Sequence, residues 1–246
     1  MPFRAVLIIF VALLSSRLAP AWEGPLHPLA VAEIPRHANA LVIGFVGGRV
    51  ARSDSVHGEV QMAARLQSDY PSGVQVMMFE NRHGDEALHT AVRFLDTNAD
   101  GVLSALEKSS AQIAIYGHSW GASETVTLAR ALGKEGIPVL LTVQVDSVTK
   151  PGEDDGAIPA NVLQAVNFYQ KDGLLHGRSE IHADDSSRTK ILGSFLTSYR
   201  VHPVNCDKYP WFARTFMRSH IEIESDPKVW GRVESLIRSK LPAPHD

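Results

Sequence analysis

A serine with the surroundings of a nucleophile stands near the middle of the chain, in the sequence Gly-His-Ser-Trp-Gly at 117–121. An apolar run of β-forming residues, 112–116, precedes it, and a helical pattern, 122–132, follows it. A Gly-x-Ser-x-Gly sequence between a strand and a helix holds its serine at the tip of a tight, strained turn. The two glycines have no Cβ, so the strand and the helix can approach each other there. The pattern predicts that Ser119 is a nucleophile.

A serine needs a base to take its proton, and a third group must orient that base. The α/β-hydrolases, which this strand, Gly-x-Ser-x-Gly turn and helix resemble, have the chain order serine, acid, histidine. The resemblance implies that the acid lies at the end of a strand that follows the nucleophile. Asp146 ends the next apolar run, and Asp172, after a later run, is the alternative. The histidine is expected shortly before the last helix. His220 has this placement, and His202 is the nearest alternative.

Negative charge that develops on a substrate oxygen needs two N–H donors. One donor is expected from Trp120, the residue after the nucleophile. The second is expected from the loop after the first strand, where Gly-Phe-Val-Gly-Gly occupies 44–48. Phe45 is the predicted second donor, and Val46 is the alternative.

A second motif, at 96–107, has the spacing of the twelve-residue calcium loop of an EF-hand, with Gly101 at the sharp turn. The alternative is an acidic surface loop that matches by chance. No ligand is a candidate for the catalytic groups, so the ion is expected to be structural. The predicted ligands are the side chains of Asp96, Asn98, Asp100 and Glu107, the carbonyl of Val102, and Ser104, which often acts through a water.

The first residues have the pattern of a secretory signal peptide. An apolar run at 5–14 follows Arg4, and small residues occupy 19–21. Cleavage after Ala21 would remove two of the 24 basic residues and none of the 27 acidic ones, changing the net charge from −3 to −5. We expect a periplasmic or secreted protein with no integral membrane segment after signal removal. An uncleaved N-terminal anchor is the alternative.

Composition is that of an ordinary globular protein, with 44% hydrophobic and 21% charged residues. The slightly acidic net charge argues against a nucleic-acid partner. The protein is expected to be a monomer. Cys206, the single cysteine, allows no disulfide within the chain and is expected to be buried. The remaining histidines, such as His57 and His118, have no catalytic placement, and a surface or core role is expected for them.

Strands alternate with helices, which predicts an α/β fold: a single domain over 22–246 with a doubly wound, mostly parallel sheet of about six strands. We expect one buried face on each amphipathic helix. The predicted strands are 40–46, 74–79, 113–116, 138–145, 165–169 and 191–199, and the predicted helices are 56–70, 86–95, 122–132, a short one at 159–164, and 227–241.

These motifs together resemble the α/β-hydrolase superfamily, and its lipase-like members in particular. The resemblance covers roughly 41–241 and rests on Gly-His-Ser-Trp-Gly, Val-Asp-Ser after the next strand, Val-Asn-Phe-Tyr-Gln at 166–170 and His-Ile-Glu-Ile at 220–223. It implies a triad of Ser119, Asp146 and His220 that hydrolyses esters. The chain departs from the family in having about six strands, not eight, and in carrying the loop at 96–107 before the nucleophile strand.

The resulting expectation is an exported, calcium-binding serine hydrolase that acts on a small-molecule or lipid ester. A thioesterase or amidase of the same fold is one alternative. The other is a catalytically silent protein that keeps the scaffold to bind calcium or another ligand.

Overall fold

The structure, a computed structural model, describes residues 40–243. The predicted signal segment at 1–21 lies outside the described residues. Six parallel strands form the main sheet in the spatial order β2-β1-β3-β4-β6-β8. A two-stranded parallel sheet pairs β5 with β7. The strands are β1 (Ala40–Val46), β2 (Val74–Glu80), β3 (Ile113–His118), β4 (Val139–Val145), β5 (Ala157–Ile158), β6 (Val162–Tyr169), β7 (His182–Ala183) and β8 (Lys190–Leu196).

Helices cover both faces of the main sheet. They are α1 (Gly58–Asp69), α2 (Gly84–Leu95), α3 (Ala105–Ser109), α4 (Trp120–Lys134), α5 (Trp211–Phe216), α6 (Arg218–Ser225) and α7 (Pro227–Arg238). Buried residues of α2 and α4 pack on one face, and those of α1 and α7 pack on the other. The strand order begins in the middle, at β1, and runs outward in both directions, so the predicted doubly wound fold of a single domain is confirmed for the described residues.

The sequence of β1 explains how one strand serves two cores. Successive side chains of a strand point to opposite faces. Leu41, Ile43 and Phe45 therefore join the core on the side of α2 and α4, and Ala40 and Val42 join the core on the side of α1 and α7. A strand buried on both faces reads as an unbroken apolar run, which is the pattern that predicted it.

Two regions differ from the predicted elements. The short helix predicted at 159–164 is wrong, because strand β6 already begins at Val162, in register with Val139 of β4. Helices α5 and α6 were not predicted, and His220, expected shortly before the last helix, lies on α6, which directly precedes α7. Neither helix has a side-chain cap at its N-terminus, so the usual start signal is missing from the sequence.

Candidate active site

Ser119 stands between β3 and α4 with a left-handed backbone, φ +56° and ψ −123°. Hydrogen bonds hold this conformation from both sides. The Ser119 N–H donates to the Val145 carbonyl at 3.0 Å, and the Ser119 carbonyl accepts from the N–H of Ala122 at 3.1 Å. A non-glycine residue with such a φ carries strain that persists only when its surroundings fix it. The structure therefore places Ser119 on the strained turn that its sequence predicts.

Glycines around this turn are required by space. A Cβ on Gly121 would collide with the backbone carbonyl of Phe45 and lie 2.8 Å from that of Val46. A Cβ on Gly47 would lie 3.0 Å from the Ser119 Cβ. The loop after β1 therefore approaches the serine closely, and Ser119 itself is buried.

Asp146 and His220 meet beside the turn, although 74 residues separate them. The Nδ1 of His220 lies 2.6 Å from Oδ2 of Asp146, and both side chains are buried. Asp146 follows β4 with φ +45°, and His220 lies on α6. Asp146 directly follows Val145, whose carbonyl accepts the Ser119 N–H. The structure thus brings the predicted acid and base together at the edge where the serine emerges.

Further donors hold the Asp146 carboxylate in place. The Gln170 amide donates to Oδ2 at 2.9 Å, and the Gly177 N–H donates to Oδ1 at 2.8 Å. Burial by itself would raise the pKa of Asp146, but the hydrogen bond and charge of His220, together with these donors, outweigh it and lower the pKa. Asp146 therefore stays ionised and can hold the His220 imidazole in one orientation.

The two alternatives lie elsewhere. Asp172 accepts hydrogen bonds from the Ser198 hydroxyl, the Tyr199 N–H and the Arg200 guanidinium, so it anchors the loop after β8. His202 is exposed. Among residues 40–243, neither the Asp172 carboxylate nor the His202 ring forms a hydrogen bond with Asp146 or His220.

Of the two predicted oxyanion donors, Trp120 is the first residue of α4, so its N–H is free of intrahelical bonding. Phe45 lies inside β1, in register with Phe79 on one side and Gly117 on the other. This placement contradicts the role given to Phe45, because an N–H within the sheet is used by the ladder. Gly47, just beyond the strand, is the residue that approaches Ser119.

The loop at 96–107 gathers part of its predicted ligand set. Oδ1 of Asp96 and Oδ1 of Asn98 both accept the Asp100 N–H, each at 3.1 Å, and Gly101 makes the turn with φ +82°. Val102 is exposed, and its N–H donates to the Asp100 carboxylate.

Glu107 faces the start of α3. Its Oε2 accepts from the Ser104 N–H and hydroxyl, and its Oε1 accepts from the N–H and hydroxyl of Thr97. The hydrogen bonds from Ser104, and then those from Thr97, lower the pKa of Glu107 to about 2. Glu107 is therefore an ionised carboxylate that caps a helix, with Ser104 as the N-cap residue.

A buried group of histidines and glutamates lies behind Ser119, and the sequence analysis did not find it. His57 bonds through Nδ1 to the Glu224 carboxylate, and Nδ1 of His118 lies 3.5 Å from the same carboxylate. Glu59 lies beside them, fully buried. The His118 ring in turn packs on His220, with ring centroids 4.5 Å apart. The only local signal was His-Gly-Glu at 57–59, since the other members come from distant parts of the chain.

The charges in this group depend strongly on burial. Burial opposes charge on His57, but its hydrogen bond to Glu224 and the Glu224 charge raise the pKa of His57 to about 9. Burial and the nearby Glu224 raise the pKa of Glu59 to about 7. Burial would also raise the pKa of Glu224, but the charges and hydrogen bonds of His118 and His57 lower it. The group therefore contains an ionised Glu224 paired with a cationic His57.

Within residues 40–243, no helix combines the length and the apolar character needed to cross a membrane.

No family model matches the chain, and no curated protein matches it significantly. Among solved structures, it is similar to the RedJ thioesterase of prodiginine biosynthesis from Streptomyces coelicolor, with 11% identity, TM-score 0.43, and coverage of 92% of this chain and 100% of that one. It is also similar to a thermostable esterase from Pseudomonas putida, with 10% identity, TM-score 0.46, and coverage of 86% of this chain and 77% of that one. A cutinase-like protein from a Cryptococcus species is similar with 12% identity, TM-score 0.42, and coverage of 82% of this chain and 94% of that one. Similarities of this size carry no argument about family or activity.

Proposed function

We propose that this protein is a serine hydrolase that cleaves carboxylic esters through Ser119, Asp146 and His220. The observation that carries the proposal is a serine in a strained turn beside a buried aspartate–histidine pair. A serine, a base and a group that orients the base are the three parts that acyl transfer requires. Backbone strain at a residue other than glycine, as at Ser119, is also found most often at active sites.

In the proposed reaction, the Ser119 Oγ attacks the carbonyl carbon of the ester. Asp146 binds Nδ1 of His220, which leaves Nε2 as the nitrogen that takes the serine proton. His220 then gives this proton to the leaving alcohol, and an acyl-serine remains. A water molecule, deprotonated by His220, attacks the acyl carbon and releases the acid, and the proton returns to Ser119.

The oxyanion needs two donors that face the same point. We propose the Trp120 N–H as the first, because it lies at the N-terminus of α4 directly after the nucleophile. As the second donor we propose the N–H of Gly47 in place of that of Phe45, because a Cβ on Gly47 would lie 3.0 Å from the Ser119 Cβ. Gly47 has no side chain between its backbone and the substrate.

Exposed aromatic side chains on α5, the helix that precedes α6 and His220 in the chain, support a substrate with an apolar part. Trp211, Phe212 and Phe216 on α5 are 67%, 40% and 59% exposed, an unusual amount of aromatic surface for one short helix. α5 leads directly into α6 through Met217. We therefore propose a small-molecule or lipid ester with an apolar acyl or alcohol group as the substrate.

A fluorophosphonate probe and a series of nitrophenyl esters of rising chain length test the proposal. The wild type should be labelled and should turn over at least one ester. Ser119→Ala and His220→Ala should each lower turnover by a factor of about 10³ or more, because the members of a triad act as a unit. His202→Ala, at an exposed histidine, is the matched control and should keep full activity.

The acid is tested by comparing Asp146→Asn with Asp172→Asn. Asp146→Asn should lower turnover strongly, and Asp172→Asn should affect the loop after β8 and leave turnover nearly unchanged. Activity on thioesters or amides in place of esters would shift the substrate class and keep the mechanism. A wild type that is neither labelled nor active would refute the hydrolase and favour a silent binding scaffold.

We also propose that the loop at 96–107 holds a structural calcium ion. Its support is that the Asp96 and Asn98 side-chain oxygens both accept the Asp100 N–H and that the Asn98 amide donates to the Asp100 carboxylate, in a loop that turns at Gly101. Glu107 supplies a further ionised carboxylate, which would share its oxygens between the ion and the N-terminus of α3. Val102 and Ser104 complete the proposed set, with no role in the ester chemistry.

Melting curves with calcium and with a chelator test this loop. An ion that binds only the folded form at a hundredfold excess over its dissociation constant adds about 2.7 kcal/mol. For a chain of this size that corresponds to a rise in Tm of about 5–10 °C. Asp96→Ala combined with Glu107→Ala should abolish the response. Identical curves with and without calcium would show that the loop binds none.

Finally, we propose that the protein is exported and acts as a monomer. The apolar run at 5–14 and the small residues before Trp22 support export. N-terminal sequencing of protein from the periplasm or medium should begin at Trp22. Size-exclusion chromatography with light scattering should give the mass of one chain.

A further inference from the structure

Three side chains behind the nucleophile converge on one point. His57 precedes α1, Glu59 lies in the first turn of α1, and Glu224 lies on α6. One ligand atom of each lies within 4.8 Å of the ligand atoms of the other two, and all three residues are buried. None of them is part of the proposed triad.

The unusual member of this group is Glu59. It is 0% exposed, and neither of its carboxylate oxygens has a hydrogen-bond partner among residues 40–243. Buried carboxylates are normally paired, hydrogen-bonded or bound to a metal, because burial without a partner is very unfavourable. Glu224 does not relieve this cost, since it repels Glu59 and already accepts a hydrogen bond from His57. A bound cation between the carboxylates would satisfy both.

We propose that His57, Glu59 and Glu224 form a binding site for one divalent transition-metal ion of the zinc class. An imidazole and carboxylates are the ligands that Zn²⁺ takes in proteins, whereas Ca²⁺ takes oxygen ligands in larger number. Two glutamates neutralise the two charges of the ion, so the buried site carries no net charge. The mixed nitrogen and oxygen set therefore distinguishes this site from the loop at 96–107.

The surroundings of His57 fit this role. With Nδ1 facing Glu224, the other ring nitrogen, Nε2, lies 3.7 Å from the Asp54 carboxylate. Metal-binding histidines typically have such a carboxylate or carbonyl on the far side of the ring, where it sets the ring's orientation and basicity. The Tyr209 ring also packs edge-on against His57, with centroids 5.5 Å apart.

Binding would replace a proton. His57 and Glu224 now share a hydrogen bond through Nδ1, so the ion takes the place of that proton, which passes to the solvent. Two donors around a tetrahedral zinc ion stand about 3.3 Å apart, so these two side chains must separate slightly. The backbones that carry them are closely packed: a Cβ on Gly58 would collide with the Glu224 carbonyl and the Trp230 ring. The ion would therefore tie α1 to α6 at fixed spacing.

The site also borders the nucleophile. Nδ1 of His118, the residue before Ser119, lies 3.5 Å from the Glu224 carboxylate, and its Nε2 is buried without a hydrogen-bond partner in the described part of the chain. His220 and Glu224 lie one turn apart on α6, so an ion on Glu224 would also position the helix that carries the base. This positioning role rests on the proposed function, whereas ion binding does not.

The full chain, dialysed against a chelator and then loaded with Zn²⁺ alone, tests the site by elemental analysis. Wild type should hold one zinc ion per chain. Glu59→Gln, which keeps the shape and removes the charge, should weaken binding at least tenfold. Glu222→Gln is the matched control, because Glu222 is buried on the same helix but pairs with Arg218, and it should bind as the wild type does.

The melting temperature of the wild type with and without zinc tests the site even if Glu59→Gln does not fold. Zn²⁺ at a hundredfold excess over its dissociation constant should raise Tm by about 5–10 °C, and Glu222→Gln should show the same rise. A wild type that retains no zinc and melts at the same temperature with it would overturn the proposal, as would equal binding by Glu59→Gln. Loss of ester turnover in Ser119→Ala with zinc binding unchanged would separate this site from the hydrolase.

Discussion

Replacing Ser119 by glycine should make the protein more stable while removing the proposed nucleophile. Ser119 has φ +56° and ψ −123°, a region in which only glycine is unstrained. The surrounding bonds enforce this conformation, because the Ser119 N–H donates to Val145 and its carbonyl accepts from Ala122. A glycine at this position can adopt the same backbone and keep the same backbone hydrogen bonds.

The expected gain follows from two opposing terms. Relief of backbone strain is worth about 1–3 kcal/mol. The greater freedom of glycine in the unfolded chain costs about 0.5–1 kcal/mol. The difference is a gain of about 1 kcal/mol, or a rise in Tm of about 2–4 °C. Ser119→Ala keeps a Cβ and therefore keeps the strain, so it should melt below Ser119→Gly.

The measurement compares the unfolding of Ser119→Gly with that of Ser119→Ala, in urea or on heating. The same comparison is made between Ser123→Gly and Ser123→Ala. Ser123 is buried in α4, where alanine should be more stable than glycine by about 1 kcal/mol. The order of glycine and alanine should therefore reverse between the two positions. If alanine is the more stable residue at both, the turn at Ser119 stores no strain.

Other substitutions test the packing around the site. Gly121→Ala places a Cβ against the Phe45 carbonyl and should lower stability by about 2 kcal/mol in urea unfolding, whereas Gly231→Ala, with open space at the Cβ, should be neutral or stabilising. Lys150→Met leaves the buried Glu124 without its ionic partner and should cost about 3 kcal/mol. Adding Glu124→Gln to Lys150→Met should recover part of that loss, and full additivity of the two changes would show that the pair does not interact. Chelation of calcium should lower Tm and leave the rate at low temperature unchanged; an immediate loss of activity with the fold intact would mean that the ion positions Ser119.

Local patterns were sufficient for most of the fold. The unbroken apolar runs predicted the strands of the main sheet, because a parallel strand covered on both faces has no polar side. The helix predicted at 159–164 was wrong because a segment this short has too few residues to distinguish a helical period from a strand, and β6 begins at Val162. Helices α5 and α6 escaped prediction because neither begins with a capping side chain.

The sequence by itself determined the position of the strained turn, because a Cβ on Gly117 would collide with the Gly121 backbone four residues later, which is a local steric requirement. It also limited the acid and the base to two candidates each. Only the tertiary structure brings Asp146 to His220 across 74 residues and fixes Asp172 to the loop after β8, which supports Asp146 and His220 as the proposed acid and base. The buried group of His57, Glu59 and Glu224 had only His-Gly-Glu at 57–59 as a local signal, since His57 and Glu224 are 167 residues apart. Ligands from different elements meet only when those elements pack, and packing depends on the whole chain.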